Sequence, residues 1–432
     1  MRWWGGVGLA TIVAGLGCLL LEIPGLNTTW FLFGWVGALV VLDACIATRG
    51  PSFLVGRRRE LLAMGVFSMA YWTVYEQLNL RLENWYYVFV PRSDVWQALY
   101  GGLAFATVLP ACFFPAELLR VYGVWTNWAV RPLRVSRALE AFLLVFGALC
   151  IVLPMVAPQQ CFWMVWGAPL GIPLVINRRV GAQSLLRDLE LGQPGRLARL
   201  LAGGLIAGGL WESLNFWAHT KWVYTVPGFE TGKIFEMPWL GFVGFPVLSV
   251  ASFSLYALWC HIARGGRHWE LADDVQPIVR STHRAVAMAA LLVFSVTATL
   301  VPLTPAITVR PTLSDIDSLS LRQRQRLRQS QWSTPERLAV ANPFVVEAET
   351  GVPRSALAPS WHYAQMMVHR GMGDVGARWL AQRDILTIAE LGESDADALV
   401  AQLTPEEMQS LGIREDHIRV WVWGARGGVL RR

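Results

Sequence analysis

Discrete apolar runs, each long enough to cross a bilayer as a helix, are what most constrain the fold of this chain. Nine can be read, at about 3–21, 28–48, 61–80, 95–113, 138–156, 160–177, 199–217, 239–262 and 284–303. A run of about 20 apolar residues matches the hydrocarbon thickness at 1.5 Å of rise per residue. The expectation is an all-α fold: a polytopic membrane helix bundle of about nine spans. The segment 304–432 is too charged to cross and is expected to form a small soluble helical domain. The first run follows Met1-Arg2 with no small-residue cleavage site after it, so it reads as a retained helix and not a removed signal.

Arginine placement predicts the orientation. The loops after the second, fourth, sixth and eighth runs are arginine-rich, with Arg57, Arg58 and Arg59, then Arg120 and Arg131, then Arg178, Arg179 and Arg196, then Arg264 and Arg267. The alternate loops carry Trp85-Tyr86-Tyr87 and Trp222-Val223-Tyr224 instead. The basic loops are therefore expected in the cytoplasm. Nine spans then put the C-terminal domain on the exocytoplasmic face of a cell membrane, as in a bacterial inner membrane; one span fewer would reverse its side. The net charge of +6 is accounted for by these loops and by anionic lipid. All six cysteines lie in or beside the runs and none forms a CxxC pair, so no disulfide framework, metal site or cofactor is indicated.

The chain also repeats itself. Tyr75-Glu76-Gln77-Leu78-Asn79 near the end of the third run matches Trp211-Glu212-Ser213-Leu214-Asn215 near the end of the seventh. Trp85-x-Tyr87 then matches Trp222-x-Tyr224, and Phe114-Pro115 matches Phe245-Pro246. Upstream, Trp35-Val36-Gly37-Ala38 resembles Val165-Trp166-Gly167-Ala168. The expected organisation is a four-span repeat at 1–125, a second at 126–262, a loop and ninth span at 263–303, and the soluble domain at 304–432. Four spans is an even number, so the two copies run parallel, and such repeats build sites at their interface.

That interface predicts the chemistry. Carboxyl groups within hydrocarbon face the bundle interior and mark function. Glu76 with Asn79, and Glu212 with Asn215, each share one helix face at i,i+3 spacing. Two desolvated acids brought together differ in proton affinity, as general acid–base catalysis needs. Interhelical packing by the same side chains is the competing reading. Glu236, at the start of the eighth run, is a further candidate acid, although an acid there also suits a helix N-terminus. Acid at the end of a span, then Trp-x-Tyr, then a span with Pro and Glu near a Phe-Pro step: this pattern resembles the small integral-membrane lycopene cyclases and related membrane terpene cyclases. The resemblance covers about 50 residues of each repeat, and the family's Pro-x-Glu-Glu is absent; the nearest pieces are Pro115-Ala116-Glu117 and Phe235-Glu236-Met237-Pro238. It implies a lipid-facing cavity with paired acids.

In the C-terminal domain, Gly371-Met372-Gly373 is followed by Gly376-Ala377-Arg378-Trp379-Leu380 and Asp384-Ile385-Leu386-Thr387-Ile388-Ala389-Glu390-Leu391. This resembles the tandem helix-hairpin-helix family. Gly371 and Gly373 permit the tight hairpin, and Arg370 flanks it. Such hairpins often hold DNA backbones, but the basic patch here is thin, which favours a protein contact over nucleic acid.

Three readings of function stay open. One is an intramembrane enzyme acting on an isoprenoid or other membrane lipid through its paired acids. Another is a non-catalytic subunit or assembly factor that docks a protein partner through the C-terminal domain. The third is a transporter.

Overall fold

The computed structural model describes residues 2–21, 23, 26–82, 84–88, 90, 94–167, 169–218, 220–224, 233–271, 308–309 and 311–426. The ninth run at 284–303 lies outside them. The chain is mostly helical and divides into two units: Met1–Leu82, Pro91–Ala218 and Met237–Ala306 form one, while Glu83–Val90, His219–Glu236 and Ile307–Arg432 form the other.

The first unit holds α1 (Trp3–Leu20), α2 (Trp30–Ile46), α3 (Arg58–Leu82), α4 (Asp94–Ala106), α5 (Val108–Val121) and α6 (Arg137–Val156). It continues through α7 (Pro158–Cys161), a 3-10 turn (Phe162–Gly167), α8 (Gly171–Val180), α9 (Leu185–Glu190), α10 (Gly195–Trp217) and α11 (Gly244–Arg264). Four helical stretches are long and apolar enough to cross a membrane: Trp3–Leu20, Val95–Val121, Arg137–Val156 and Trp239–Arg264. Trp30–Ile46 is a shorter apolar helix. Helices α3 and α10 are longer, at 25 and 23 residues, and carry charges at their ends.

Two of the runs are interrupted where the sequence reading has them continuous. The fourth breaks at Thr107, whose hydroxyl bonds back to Leu103 O at 2.8 Å and also accepts Trp35 Nε1 at 2.9 Å. The sixth becomes α7, the 3-10 turn and α8, because α8 starts hard against α6. A Cβ on Gly171 would lie 2.1 Å from Leu143 O.

Glycines set the other close approaches. Helices α1 and α2 touch backbone to backbone, since a Cβ on Gly8 would lie 2.7 Å from Gly37 O, and one on Gly37 would lie 2.7 Å from Gly8 O. Helix α10 is wedged between α5 and α11: a Cβ on Gly203 would meet Cys112 O at 2.7 Å and one on Gly204 would meet Phe245 O at 2.5 Å. Helices α1 and α6 lie at the rim, with apolar residues such as Val7, Val13, Phe142 and Val152 exposed.

The second unit is built on a small sheet that the all-α expectation did not contain. Strand β1 (Trp85–Val88) pairs antiparallel with β2 (Lys221–Tyr224), and the strand Thr308–Val309 adds in parallel to β1. The register sets Trp85 opposite Tyr224 and Tyr87 opposite Trp222. Apart from the short strand Lys233–Ile234, helices dominate the rest: α12 (Leu321–Arg328), α13 (Pro335–Ala339), α14 (Pro343–Thr350), α15 (Arg354–Val368) and α16 (Gly373–Ala381). There follow α17 (Ile388–Glu393), α18 (Ala396–Val400), α19 (Pro405–Leu411) and α20 (Glu415–Arg426). Side-chain caps start several of these helices, among them capping boxes Thr387/Glu390 and Thr404/Glu407, with Asn342 and Asp395 capping α14 and α18. Leu357, Met367, Trp379, Leu380 and Ile418 lie in its core.

The wedge at α10 predicts an asymmetric response to added volume. Gly204→Leu should destabilise the chain by about 1–3 kcal/mol or more through overpacking. Gly209→Ala, with nothing within 4 Å of its Cβ, should be neutral or stabilising by about 0.5–1 kcal/mol. Thermal unfolding in a neutral detergent reads both; equal losses would contradict the packing.

Candidate functional site

In the first unit, Glu76 and Asn79 near the end of α3 are buried, as are Glu212 and Asn215 near the end of α10. The i,i+3 spacing keeps each acid and its amide on one face. Trp72, one turn before Glu76, donates its indole N–H to Glu76 Oε1 at 2.9 Å. Its ring centroid is 5.1 Å from that of Trp211, the residue immediately before Glu212. The two motifs are thus joined through their aromatic neighbours.

The joining is reciprocal. Trp35 of α2 meets Trp211 edge-on at 5.4 Å. Trp166, from the broken sixth run, stacks on Tyr75 at 5.2 Å. Each acid therefore follows an aromatic ring that is packed by a tryptophan from a distant stretch of the chain. Aromatic walls supply apolar bulk and quadrupolar faces. An acid among them is withdrawn from bulk water.

Glu236 is placed elsewhere. It belongs to the second unit, fully buried, with Lys221 Nζ 3.3 Å from its Oε1 and the Arg370 guanidinium on its Oε2. Burial works to raise the Glu236 carboxyl, and Lys221, Arg370 and Lys233 outweigh it, so it lies below the usual carboxylate range. It opens no helix: the strand-like residues Met237–Pro238 and a 3-10 turn follow it.

The turn between α15 and α16 is the predicted hairpin position. Arg370, Gly371 and Gly373 all have positive φ, at 48°, 73° and 68°. Left-handed geometry suits the glycines and strains Arg370. Arg370 does not project from the hairpin. Its guanidinium lies 5.2 Å from the Trp423 ring centroid as well as on Glu236. Lys233 Nζ meets the same indole at 5.0 Å. His369 is buried beside it, with Nε2 2.8 Å from Trp421 O. Burial pushes the His369 imidazole down to about 4.

Sequence reasoning missed a buried ionic lattice at the end of the first unit where α3 and α10 start and α5 and α11 finish. Glu117 accepts from Arg57 Nη1 at 2.8 Å and from Arg120 Nε at 2.6 Å. Glu60 takes Arg264 through two bonds of 2.6 and 2.5 Å. Arg196 bridges Asp188 at 3.1 Å and Glu270 at 3.0 Å. The local signal is the spacing Glu117-x-x-Arg120, while Glu60 and Arg264 lie 204 positions apart. Asp43, also buried, closes the α2–α3 loop by accepting from Ser52 Oγ at 2.5 Å and Phe53 N at 2.6 Å. Among the described residues, no three His, Cys, Asp or Glu side chains group to hold a metal.

Two outcomes follow for the second unit. Arg370→Met leaves Glu236 buried with one partner fewer and should cost roughly 3 kcal/mol. Hydrogen exchange at 84–88 and 221–224 should rise, and unchanged protection there would contradict the ion pair's role. His369 takes up a proton in the unfolded chain at about pH 6.5 but resists it when folded. Stability is therefore intact above about pH 6.5 and falls as pH drops toward 4, by on the order of 3 kcal/mol from this group. His369→Gln should flatten that dependence, read by hydrogen exchange across 354–426 in the full chain.

Compared with protein families, with curated proteins and with solved structures, the chain matches none.

Proposed function

We propose that the chain is an integral membrane enzyme in which two four-span halves, 1–125 and 126–262, bury Glu76 and Glu212 as an acid–base pair acting on an isoprenoid or other lipid. One observation carries this reading. Each acid is buried behind an aromatic residue that is packed from the other half, with Trp35 on Trp211 and Trp166 on Tyr75. The reaction class is proton transfer to a carbon–carbon double bond and removal of a proton from the resulting cation, a net isomerisation or cyclisation. One acid gives its proton and the other takes one, with Asn79 and Asn215 orienting them. The resemblance to membrane terpene cyclases points the same way.

The membrane placement is supported by the four apolar helices and by the exposed apolar faces of α1 and α6, which suit lipid. Duplication is supported by the sheet register, in which Trp85-x-Tyr87 and its counterpart Trp222-x-Tyr224 pair reciprocally about a local two-fold. Because β1, β2 and Thr308–Val309 share one sheet, the loops after α3 and α10 and the C-terminal domain lie on one side of the bilayer. The basic ends make the opposite side cytoplasmic, so the domain is exocytoplasmic.

A docking subunit is the second reading. The exposed Val340, Phe344 and Val345 on and beside α14 favour it, as apolar residues a partner would cover.

The test is a comparative lipid and pigment profile by mass spectrometry. A deletion strain is complemented with wild type or with Glu76→Gln/Glu212→Gln at matched expression. The enzyme reading expects a species that vanishes in the deletion and returns only with wild type. Full restoration by the double variant would refute the acid pair, and a profile unchanged by deletion would favour docking.

A further inference from the structure

Residues 122–136 link α5 to α6 at the basic end of the first unit, and 128–136 are neither helix nor strand. Tyr122, Trp125, Trp128, Val130 and Leu133 in this link are each 41–46% exposed. Single apolar side chains at a surface need no explanation, but five within twelve positions make a patch.

The patch is not carried on slack chain. Val130 N donates to Gly192 O and Leu133 N to Leu189 O, both at 2.9 Å, so the backbone is laid against α9 and the turn that follows it. Two glycines make room for it. A Cβ on Gly195 would lie 2.1 Å from Trp125 O, and one on Gly192 would lie 2.4 Å from Val130 O. Trp125 is held at φ 54°, a left-handed conformation that a bulky residue adopts only when its surroundings impose it. The inner edge of the segment is thus occupied by backbone contacts, and its rings and aliphatic side chains are left outside.

Cations accompany them. Arg131, Arg134 and Arg137 are exposed, and Arg49, just after α2, holds its guanidinium 4.6 Å over the Tyr122 ring. No Asp or Glu occurs between Glu117 and Glu140. Those two acids are buried, Glu117 on Arg57 and Arg120, Glu140 on Arg178 and Arg179. The arginines of the link stand in water and require no concealed counter-ion. What they present is a positive surface interleaved with an apolar one.

The flanking helices fix the depth of this surface. Val95–Val121 and Arg137–Val156 are both long and apolar enough to cross a membrane, so the link between them sits at the hydrocarbon boundary. Irregular backbone facing lipid goes no deeper, because its N–H and C=O groups would lose their water. The headgroup layer suits every part of it: indole rings favour that depth, and guanidinium groups meet phosphate there. Cytoplasmic placement alone accounts for the arginines, but not for rings and aliphatic side chains held out beside them.

We propose that residues 122–137 form an interfacial strap that seats on anionic phospholipid of the chain's own bilayer. Trp125, Trp128, Val130 and Leu133 enter the headgroup layer, and Arg131, Arg134 and Arg137 pair with the lipid phosphates. The strap rests on the membrane placement given above and is independent of the acid pair.

The experiment uses the full chain, with its native cysteines replaced, in nanodiscs of phosphatidylcholine with phosphatidylglycerol. A nitroxide on a single cysteine at 130 is compared with labels at 142 and 152, on the exposed face of α6. Each is read by its accessibility to oxygen, which enters the bilayer, and to a chelated nickel ion, which does not. The label at 130 should favour oxygen and lie shallower than that at 152. Trp128→Ser with Leu133→Ser should lower the oxygen-to-nickel ratio at 130 by about fivefold or more. Arg131→Gln, Arg134→Gln and Arg137→Gln together should do the same, since each arginine at an anionic surface contributes about fivefold in partitioning. Lysine at the same three positions should keep the wild-type ratio, because the phosphates there require charge and no fixed fork. A nickel-accessible label at 130, with 142 and 152 in hydrocarbon, would overturn the strap alone and leave the patch to a protein partner. Nickel access at all three would overturn the membrane placement with it. Unchanged ratios in both the serine and the glutamine variants would also contradict the strap.

Discussion

A carboxyl group removed from water has to be compensated by its surroundings, and the burial of Glu76 and Glu212 is the constraint on which the rest of the first unit turns. The acids sit near the ends of α3 and α10, so those helices must be held close together. They are joined by rings: Trp72 reaches Glu76 with its N–H and Trp211 with its face. Trp35 and Trp166 complete the cluster from the second and sixth runs. Helix α10 can occupy this central place because Gly203 and Gly204 let α5 and α11 approach to backbone distance. Small residues on one helix and large rings near its end are two parts of one arrangement.

The second unit uses a different device. Its helices are set by caps and by an apolar core, while its sheet recruits two short strands that directly follow the acid-bearing helices in sequence. Glu236 holds this assembly by accepting from Lys221 and Arg370 at once. The hairpin that the sequence likens to a DNA-backbone clamp is turned inward. Its arginine is spent on Glu236 and Trp423, and its histidine on Trp421. The geometry makes this turn an internal joint of the unit, in keeping with the thin basic patch around it.

How much of this was legible in the sequence depended on the kind of interaction. Apolar runs are local signals, so the helical character and the burial of Glu76, Asn79, Glu212 and Asn215 could be read directly. Strands of four residues carry too little alternation to be recognised, so Trp85–Val88 and Lys221–Tyr224 read as membrane-interface aromatics. Arginine is ambiguous in a different way. Arg57 and Arg59 lie in the same basic stretch, yet one is buried on Glu117 and the other exposed, and nothing local distinguishes them. The pairing of Glu236 was not legible for the same reason, since its partner Arg370 lies 134 positions away. Breaks within the fourth and sixth runs arise from tertiary contacts at Thr107 and Gly171, which hydropathy does not register.

The central claim is that reciprocal aromatic contacts between distant stretches of the chain enclose the acids. Paired cysteine cross-linking in native membranes tests it most directly, in a background with the six native cysteines replaced. Cysteines at 35 and 211 and, separately, at 75 and 166 should each cross-link with a short bifunctional reagent, because those ring centroids lie 5.4 and 5.2 Å apart. Cysteines at the rim positions Val13 and Val152 should not. Cross-linking at both inner pairs supports a shared aromatic enclosure around the acids. Failure of both pairs, in protein that still folds and inserts, would contradict it.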